Sequence, residues 1–197
     1  MIATRQVEKN PEAVLYYLYM MADGEISYSE EKIFDVLCKE MNVVEDDQKE
    51  ILEECQRLAP EKSYVLYQLY ESSLLKQLED KRTLFWKLTK WEKREIIWNL
   101  INIGYADSEY SEDEKKIVDF LLQKWEISRT FYQELIDIAD TMLSLSKEKE
   151  WVVANFNGHE RDIKEKYLDE QIKKLFEDVQ HIRGGIKLCL YLYCLLE

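Results

Sequence analysis

Apolar side chains recur every three or four residues along most of the chain, with charged residues between them. This spacing places the apolar side chains on one face of an α-helix and the charged ones on the other. Residues that cap or end a helix stand at the right places, as Asn10 and Pro11 do before the first run and Gly24 after it. Helices are predicted to begin at or near Asn10, Ser27, Glu45, Ser63, Thr89, Ser111, Ser128 and Glu160, and a short apolar helix is predicted over 186–196. The pattern predicts an all-α bundle of about eight or nine helices.

One stretch of the chain occurs twice, and the two copies are 84 positions apart. Residues 22–37 and 106–121 align without a gap and are identical at nine of sixteen positions. Such a repeat predicts a pseudo-duplicated bundle. The predicted division is a helical domain over 1–143, with repeat halves at about 10–59 and 89–143, and a C-terminal helical extension over 144–197. The extension packs either on the domain or on a partner.

The repeated stretch opens with a short acidic loop, and its side chains are the main candidates for chemistry. In each copy Asp, Glu and Ser stand at alternate positions, and a further Glu follows three residues after the Ser. A hard cation such as Ca²⁺ needs several oxygen ligands at short range, which alternating acids on a tight loop supply. The candidate metal ligands are Asp23, Glu25, Glu30, Asp107, Glu109 and Glu114. The loop is not an EF-hand, because the twelfth position of that motif is a Glu, whereas Phe34 and Val118 stand there.

The same residues also have a purely structural interpretation. The two serines can cap the helices that follow, and Glu30 and Glu114 can complete capping boxes. Acids in the first turn of a helix also interact favourably with the helix dipole. Under this interpretation the loops bind no ion, and the residues alone leave both alternatives open.

The formal net charge of −13 decides which partners the protein attracts. A phosphate backbone is repelled and no basic stripe overrides the repulsion, so we expect no nucleic acid partner. Cations and basic protein surfaces remain as partners, with an attraction that weakens as salt is added.

The start of the chain shows no apolar segment and the run over 186–196 is too short to cross a bilayer, so we expect a cytoplasmic protein without membrane insertion.

The other reactive residue types form no recognisable site. The four cysteines are Cys38, Cys55, Cys189 and Cys194, and the two histidines are His159 and His181. The cysteines lie in apolar runs without a CxxC pair, which indicates buried reduced thiols, with a zinc site or disulfides as the alternative. No phosphate-binding glycine loop or nucleophile elbow is present. We therefore expect that the protein is not an enzyme. A hydrolase that uses clustered carboxylates is the remaining alternative, after a cation-binding module and a metal-free scaffold.

Two segments carry a resemblance to a known family. Residues 22–30, which read Ala-Asp-Gly-Glu-Ile-Ser-Tyr-Ser-Glu, and residues 103–114 resemble the tellurite-resistance B-like (TerB-like) family. The resemblance covers about 10–143 and implies an all-helical, pseudo-duplicated bundle whose acidic loop residues bind a divalent metal. It matches Asp23, Glu30, Asp107 and Glu114, whereas Ser108 departs from the pattern by replacing the glycine found at position 24. It implies service in stress-response or membrane-linked assemblies and no catalytic mechanism.

The expected function is a non-enzymatic, stress-response-type module. It binds a divalent cation, Ca²⁺ because only oxygen ligands are offered, and it docks a protein partner. A homo-oligomer is compatible with the sequence. The alternative is a metal-free interaction scaffold whose acidic loops only cap helices. Aromatic clusters in the first helix and over 64–70 fit a core, and they also fit a groove for a partner.

Overall fold

The computed structural model describes residues 10–58, 88–108 and 110–183. These residues form seven α-helices, and none of them lies in a strand. The helices are α1 (Pro11–Met20), α2 (Tyr28–Glu40), α3 (Glu45–Leu58), α4 (Lys90–Gly104), α5 (Glu112–Lys124), α6 (Arg129–Asn155) and α7 (Gly158–Arg183). The all-α prediction is confirmed. Two predicted helices, the one that begins near Ser63 and the one over 186–196, fall in the ranges 59–87 and 184–197 outside the described residues, so the predicted total of eight or nine stays a prediction.

Three of the predicted helix starts are confirmed at the level of single hydrogen bonds. α2, α4 and α5 each begin with a complete capping box, formed by Ser27 with Glu30, Thr89 with Glu92, and Ser111 with Glu114. In each box the hydroxyl accepts a hydrogen bond from the backbone three residues on, and the glutamate accepts one from the backbone of the cap. These are backbone donors that the helix itself cannot satisfy.

α2 and α5 are each followed by a residue in a left-handed backbone conformation, which the sequence pattern does not predict. Asn42 after α2 and Glu126 after α5 both have φ of 55°, in the left-handed region. The next residue donates back to the helix in each case, Val43 N to Cys38 O at 2.8 Å and Ile127 N to Leu122 O at 2.9 Å. This is the Schellman arrangement, which ends a helix and buries the apolar residue beyond it. The two ends are again 84 positions apart.

The core is built around α1 and α4. Nearly all of α1 is buried, and every residue of α4 from Ile96 to Gly104 is buried. Tyr16 accepts a hydrogen bond from Asn99 Nδ2 at 2.9 Å, and the Tyr19 hydroxyl lies against Gly104. The contacts follow the same order on both helices, so their C-terminal ends, and the loops that follow, lie together. The tyrosines of the first helix therefore serve the core.

The long helices α6 and α7 form a hairpin that reaches back to this core. Ile172, Phe176 and Val179 of α7 belong to the same buried cluster as α1 and α4. Further out, Lys149 pairs with Asp169 at 2.9 Å. The predicted boundary between residues 143 and 144 falls inside α6, which continues as one helix to Asn155. The described part of the extension thus packs on the bundle.

Two of the six cysteine and histidine side chains, those of Cys38 and His159, belong to the described part of the protein. Cys38 is free and buried, and burial raises the pKa of its thiol to about 12. The side chains of Cys55 and His181, and both cysteines after residue 183, lie outside the described residues. His159 is exposed near the start of α7.

Candidate cation site at the paired acidic loops

Two loops of identical length follow the central helices. Loop 1 comprises residues 21–27, between α1 and α2, and loop 2 comprises residues 105–111, between α4 and α5. Each contains a turn closed by one backbone hydrogen bond, Gly24 N to Met21 O at 3.1 Å and Ser108 N to Tyr105 O at 3.2 Å. Gly24 has φ of 95° and Ser108 has φ of 71°. Ser108 therefore keeps the turn that glycine makes in loop 1, although a side chain is strained there.

Among the exposed acids of the loops, Asp23 bonds to the backbone of its own loop. Asp23 Oδ1 accepts a hydrogen bond from the backbone of Glu25 at 3.0 Å, which closes a small side-chain turn. Asp23, Glu25 and Asp107 are all exposed. Glu109 lies outside the described residues. The candidate set is thus described at five of its six positions.

Glu30 and Glu114 are buried, and each is only 3% exposed. Their Oε2 atoms accept the capping-box hydrogen bonds, from Ser27 N at 2.6 Å and from Ser111 N at 2.8 Å. Burial raises the pKa of both carboxyls from 4.5 to about 7, although the hydrogen bonds from the capping serines oppose this rise. Both carboxyls therefore hold a proton more tightly than an exposed glutamate does.

The acids of one loop act on those of the other. Glu114 and Asp107 raise the pKa of Glu30, and Asp23 and Asp107 raise that of Glu114. Like charges raise a carboxyl pKa in this way only at short range. The two loops therefore lie side by side at one end of the bundle, as the parallel course of α1 and α4 requires.

The donor chemistry of this end fits a hard cation, because every candidate ligand atom is a carboxylate oxygen. Among the residues that the structure describes, however, no three His, Cys, Asp or Glu side chains stand close enough together to hold a metal ion. A cation would therefore have to draw the exposed acids inward. Their exposure leaves them free of the packing that would resist such a movement.

A group of tyrosines around loop 2 was not anticipated from the sequence. Tyr105 donates a hydrogen bond to Asp140 Oδ1 at 2.7 Å, and the hydroxyls of Tyr110 and Tyr132 are 3.2 Å apart. Burial is the main cause that raises the pKa of Tyr105 and Tyr110. The sequence feature that points to these tyrosines is a difference between the two copies of the repeat. Loop 1 has Met21 and Ile26 at the positions of Tyr105 and Tyr110.

Residues 12–140 match the family model described as tellurite resistance protein TerB. No curated protein and no solved structure matches the chain. Within the described residues, no helix is both long and apolar enough to span a membrane.

Proposed function

The chain belongs to the TerB family of tellurite-resistance proteins, and from this premise we propose that it is a non-enzymatic module that binds a divalent cation between its two acidic loops. The preferred ion is Ca²⁺, because the ligands offered are carboxylate oxygens. The observation that carries the proposal is the mutual effect of the two loops, in which Glu30 and Glu114 each have a pKa near 7 that acids of the opposite loop help to raise.

The six acids would have two different roles in binding the ion, depending on whether they are buried or exposed. Glu30 and Glu114 are held in place by their capping boxes, so they supply the fixed base of the site. Asp23, Glu25 and Asp107 are exposed and would close over the ion from the solvent side. Glu109 would join them from loop 2. The gain is electrostatic, because a divalent charge replaces repulsion among several carboxylates by attraction.

Calorimetric titration with Ca²⁺ tests the proposal. We expect heat of binding and a rise in melting temperature for the wild-type protein, because a ligand that binds only the folded state stabilises it. The variant Asp23→Asn with Asp107→Asn should lose binding and keep its helicity. Asp35→Asn is the matched control, since Asp35 is an exposed acid on the same helix as Glu30 but outside the loops. Absence of both heat and thermal shift at millimolar Ca²⁺ would reject the proposal.

The capping bonds favour a second candidate, a metal-free interaction scaffold. Both buried glutamates already have a structural role in the capping boxes, and Asp23 closes a turn. If capping is the whole role, Ser27→Ala and Ser111→Ala each lower the free energy of unfolding by about 1 kcal/mol. The Asp→Asn pair then changes neither stability nor Ca²⁺ response. Urea unfolding with and without Ca²⁺ separates the two candidates.

The remaining parts of the proposal concern origin and partner. We propose that the two halves arose by duplication, and the support is that capping boxes, left-handed turns and Schellman ends all recur 84 positions apart.

We also propose a protein partner with a basic surface, because a net charge of −13 attracts one. Its association should weaken as salt is raised.

A further inference from the structure

Loop 2 is tied to α6 at two points, one at its start and one near its end. Tyr105, the first residue of the loop, donates to Asp140 at 2.7 Å. Tyr110, next to the capping Ser111, places its hydroxyl 3.2 Å from that of Tyr132. The rings of Tyr105 and Tyr110 also contact each other, with centroids 5.2 Å apart. We call these four residues, Tyr105, Tyr110, Tyr132 and Asp140, the loop 2 clasp.

The last residue of α4 leaves room for the clasp. A Cβ atom on Gly104 would lie 2.7 Å from Cδ2 of Tyr110 and 2.6 Å from the hydroxyl of Tyr19. No real Cβ tolerates such contacts, so the ring of Tyr110 is seated directly on the backbone of α4. Tyr110 therefore contacts both α4 and α6. These two helices hold the end of loop 2 that leads into α5.

Loop 1 has no counterpart of the clasp. Its equivalent positions hold Met21 and Ile26, whose side chains carry no hydroxyl group. Its turn residue is Gly24, and a Cβ there would meet no atom within 4 Å. Met21 and Ile26 pack against the core as partly buried apolar side chains, so the two loops differ in that hydroxyl hydrogen bonds also attach loop 2 to the bundle.

We infer that Tyr110, held by Tyr132, is a positioning residue that fixes the backbone of loop 2 before any ion arrives, so that only the acidic side chains there have to move, while loop 1 is the half whose backbone adjusts. The part that concerns ion affinity rests on the proposed function. A loop backbone that is already ordered loses less conformational entropy when the ion binds. The clasp therefore acts through Asp107 and Glu114, the acids on either side of Tyr110, and not by contact with the ion.

The first test uses the metal-free protein, so it does not depend on ion binding. Tyr110→Phe and Tyr132→Phe each remove one hydroxyl and keep the ring. We expect amide hydrogen exchange in loop 2 and the first turn of α5 to speed up by roughly two- to tenfold, the range of one net hydrogen bond. Loop 1 should be unchanged, as should both loops in Tyr167→Phe, an exposed tyrosine on α7. Unchanged exchange in loop 2, or an equal rise in both loops, would overturn the inference.

The second test measures Ca²⁺ affinity at a temperature well below unfolding. Each single variant should bind roughly two- to tenfold more weakly than wild type, and the double variant no more weakly than the worse single one, because both lose the same hydrogen bond. Wild-type affinity in all three variants, with binding intact, overturns the positioning role and leaves the proposed function standing. Absence of binding in the wild type overturns the proposed function, and the exchange experiment then decides the role of Tyr110.

Discussion

At the scale of single residues, the protonation of the two buried glutamates is subject to two opposing influences. Glu30 and Glu114 must accept a backbone hydrogen bond in their capping boxes, which favours the charged carboxylate. Burial and the neighbouring acids favour the neutral form more strongly, and the pKa of each rises to about 7. A carboxyl in this position responds to pH, or to an added positive charge, within the physiological range.

This conflict predicts a pH dependence of stability with a definite sign. The folded protein holds the two protons more tightly than the unfolded chain, whose glutamates have a pKa of 4.5. Their contribution to stability is therefore complete below that value and is lost as the pH rises through about 7. Urea unfolding in a metal chelator should show the wild type losing more free energy of unfolding between about pH 5 and pH 8 than Glu30→Gln with Glu114→Gln. Parallel curves for the two proteins would contradict the prediction.

At the scale of elements, the helices end as specifically as they begin. α2 and α5 end in the same Schellman arrangement, but different residues occupy the left-handed position, Asn42 in one and Glu126 in the other. Asparagine tolerates this conformation better than other residues with a side chain. The second half of the protein therefore carries backbone strain that the first half largely avoids.

Substitution by glycine should reveal the difference. Glu126→Gly is expected to raise the free energy of unfolding by about 0.5–1 kcal/mol, because glycine adopts a positive φ without a steric penalty. Asn42→Gly should gain less. Thermal and urea unfolding of the two variants measure this directly. Destabilisation by Glu126→Gly, or a larger gain at Asn42, would show that the strain is not where the backbone angles place it.

At the scale of the whole molecule, the hairpin of α6 and α7 combines a buried and an exposed end. Phe176 and Val179 join the central core, whereas Trp151, Ile163 and Tyr167 are more than half exposed. The end of the hairpin that contains Phe176 therefore belongs to the bundle, and the other end projects from it.

Two truncations should separate the ends of the hairpin. Phe176→Ala should lower the free energy of unfolding by about 3–5 kcal/mol, because it leaves a cavity in the core. Tyr167→Ala should change it by no more than about 0.5 kcal/mol. Denaturant unfolding monitored by circular dichroism gives both values. A small cost at Phe176 would mean that α7 packs only weakly on the bundle.

Much of the architecture could be predicted from the sequence because it depends on local rules. Helix starts follow from capping residues a few positions apart, and Ser27, Thr89 and Ser111 all cap as predicted. The continuation of α6 through residue 144 could not be predicted, because the sequence there is merely less apolar and the helix is sustained by packing against α7. Local composition does not report on such a partner helix.

For the candidate site, the sequence by itself determined which acids exist and that they come in two equivalent loops, because a repeat preserves spacing. Only the tertiary structure decided that the loops adjoin, that Glu30 and Glu114 are buried while Asp23 and Asp107 are exposed, and that the hydroxyls of Tyr110 and Tyr132 meet beside loop 2. The physical reason is that burial and electrostatic coupling depend on neighbours far apart along the chain. The parallel packing of α1 and α4 supplies those neighbours, and no local pattern encodes it.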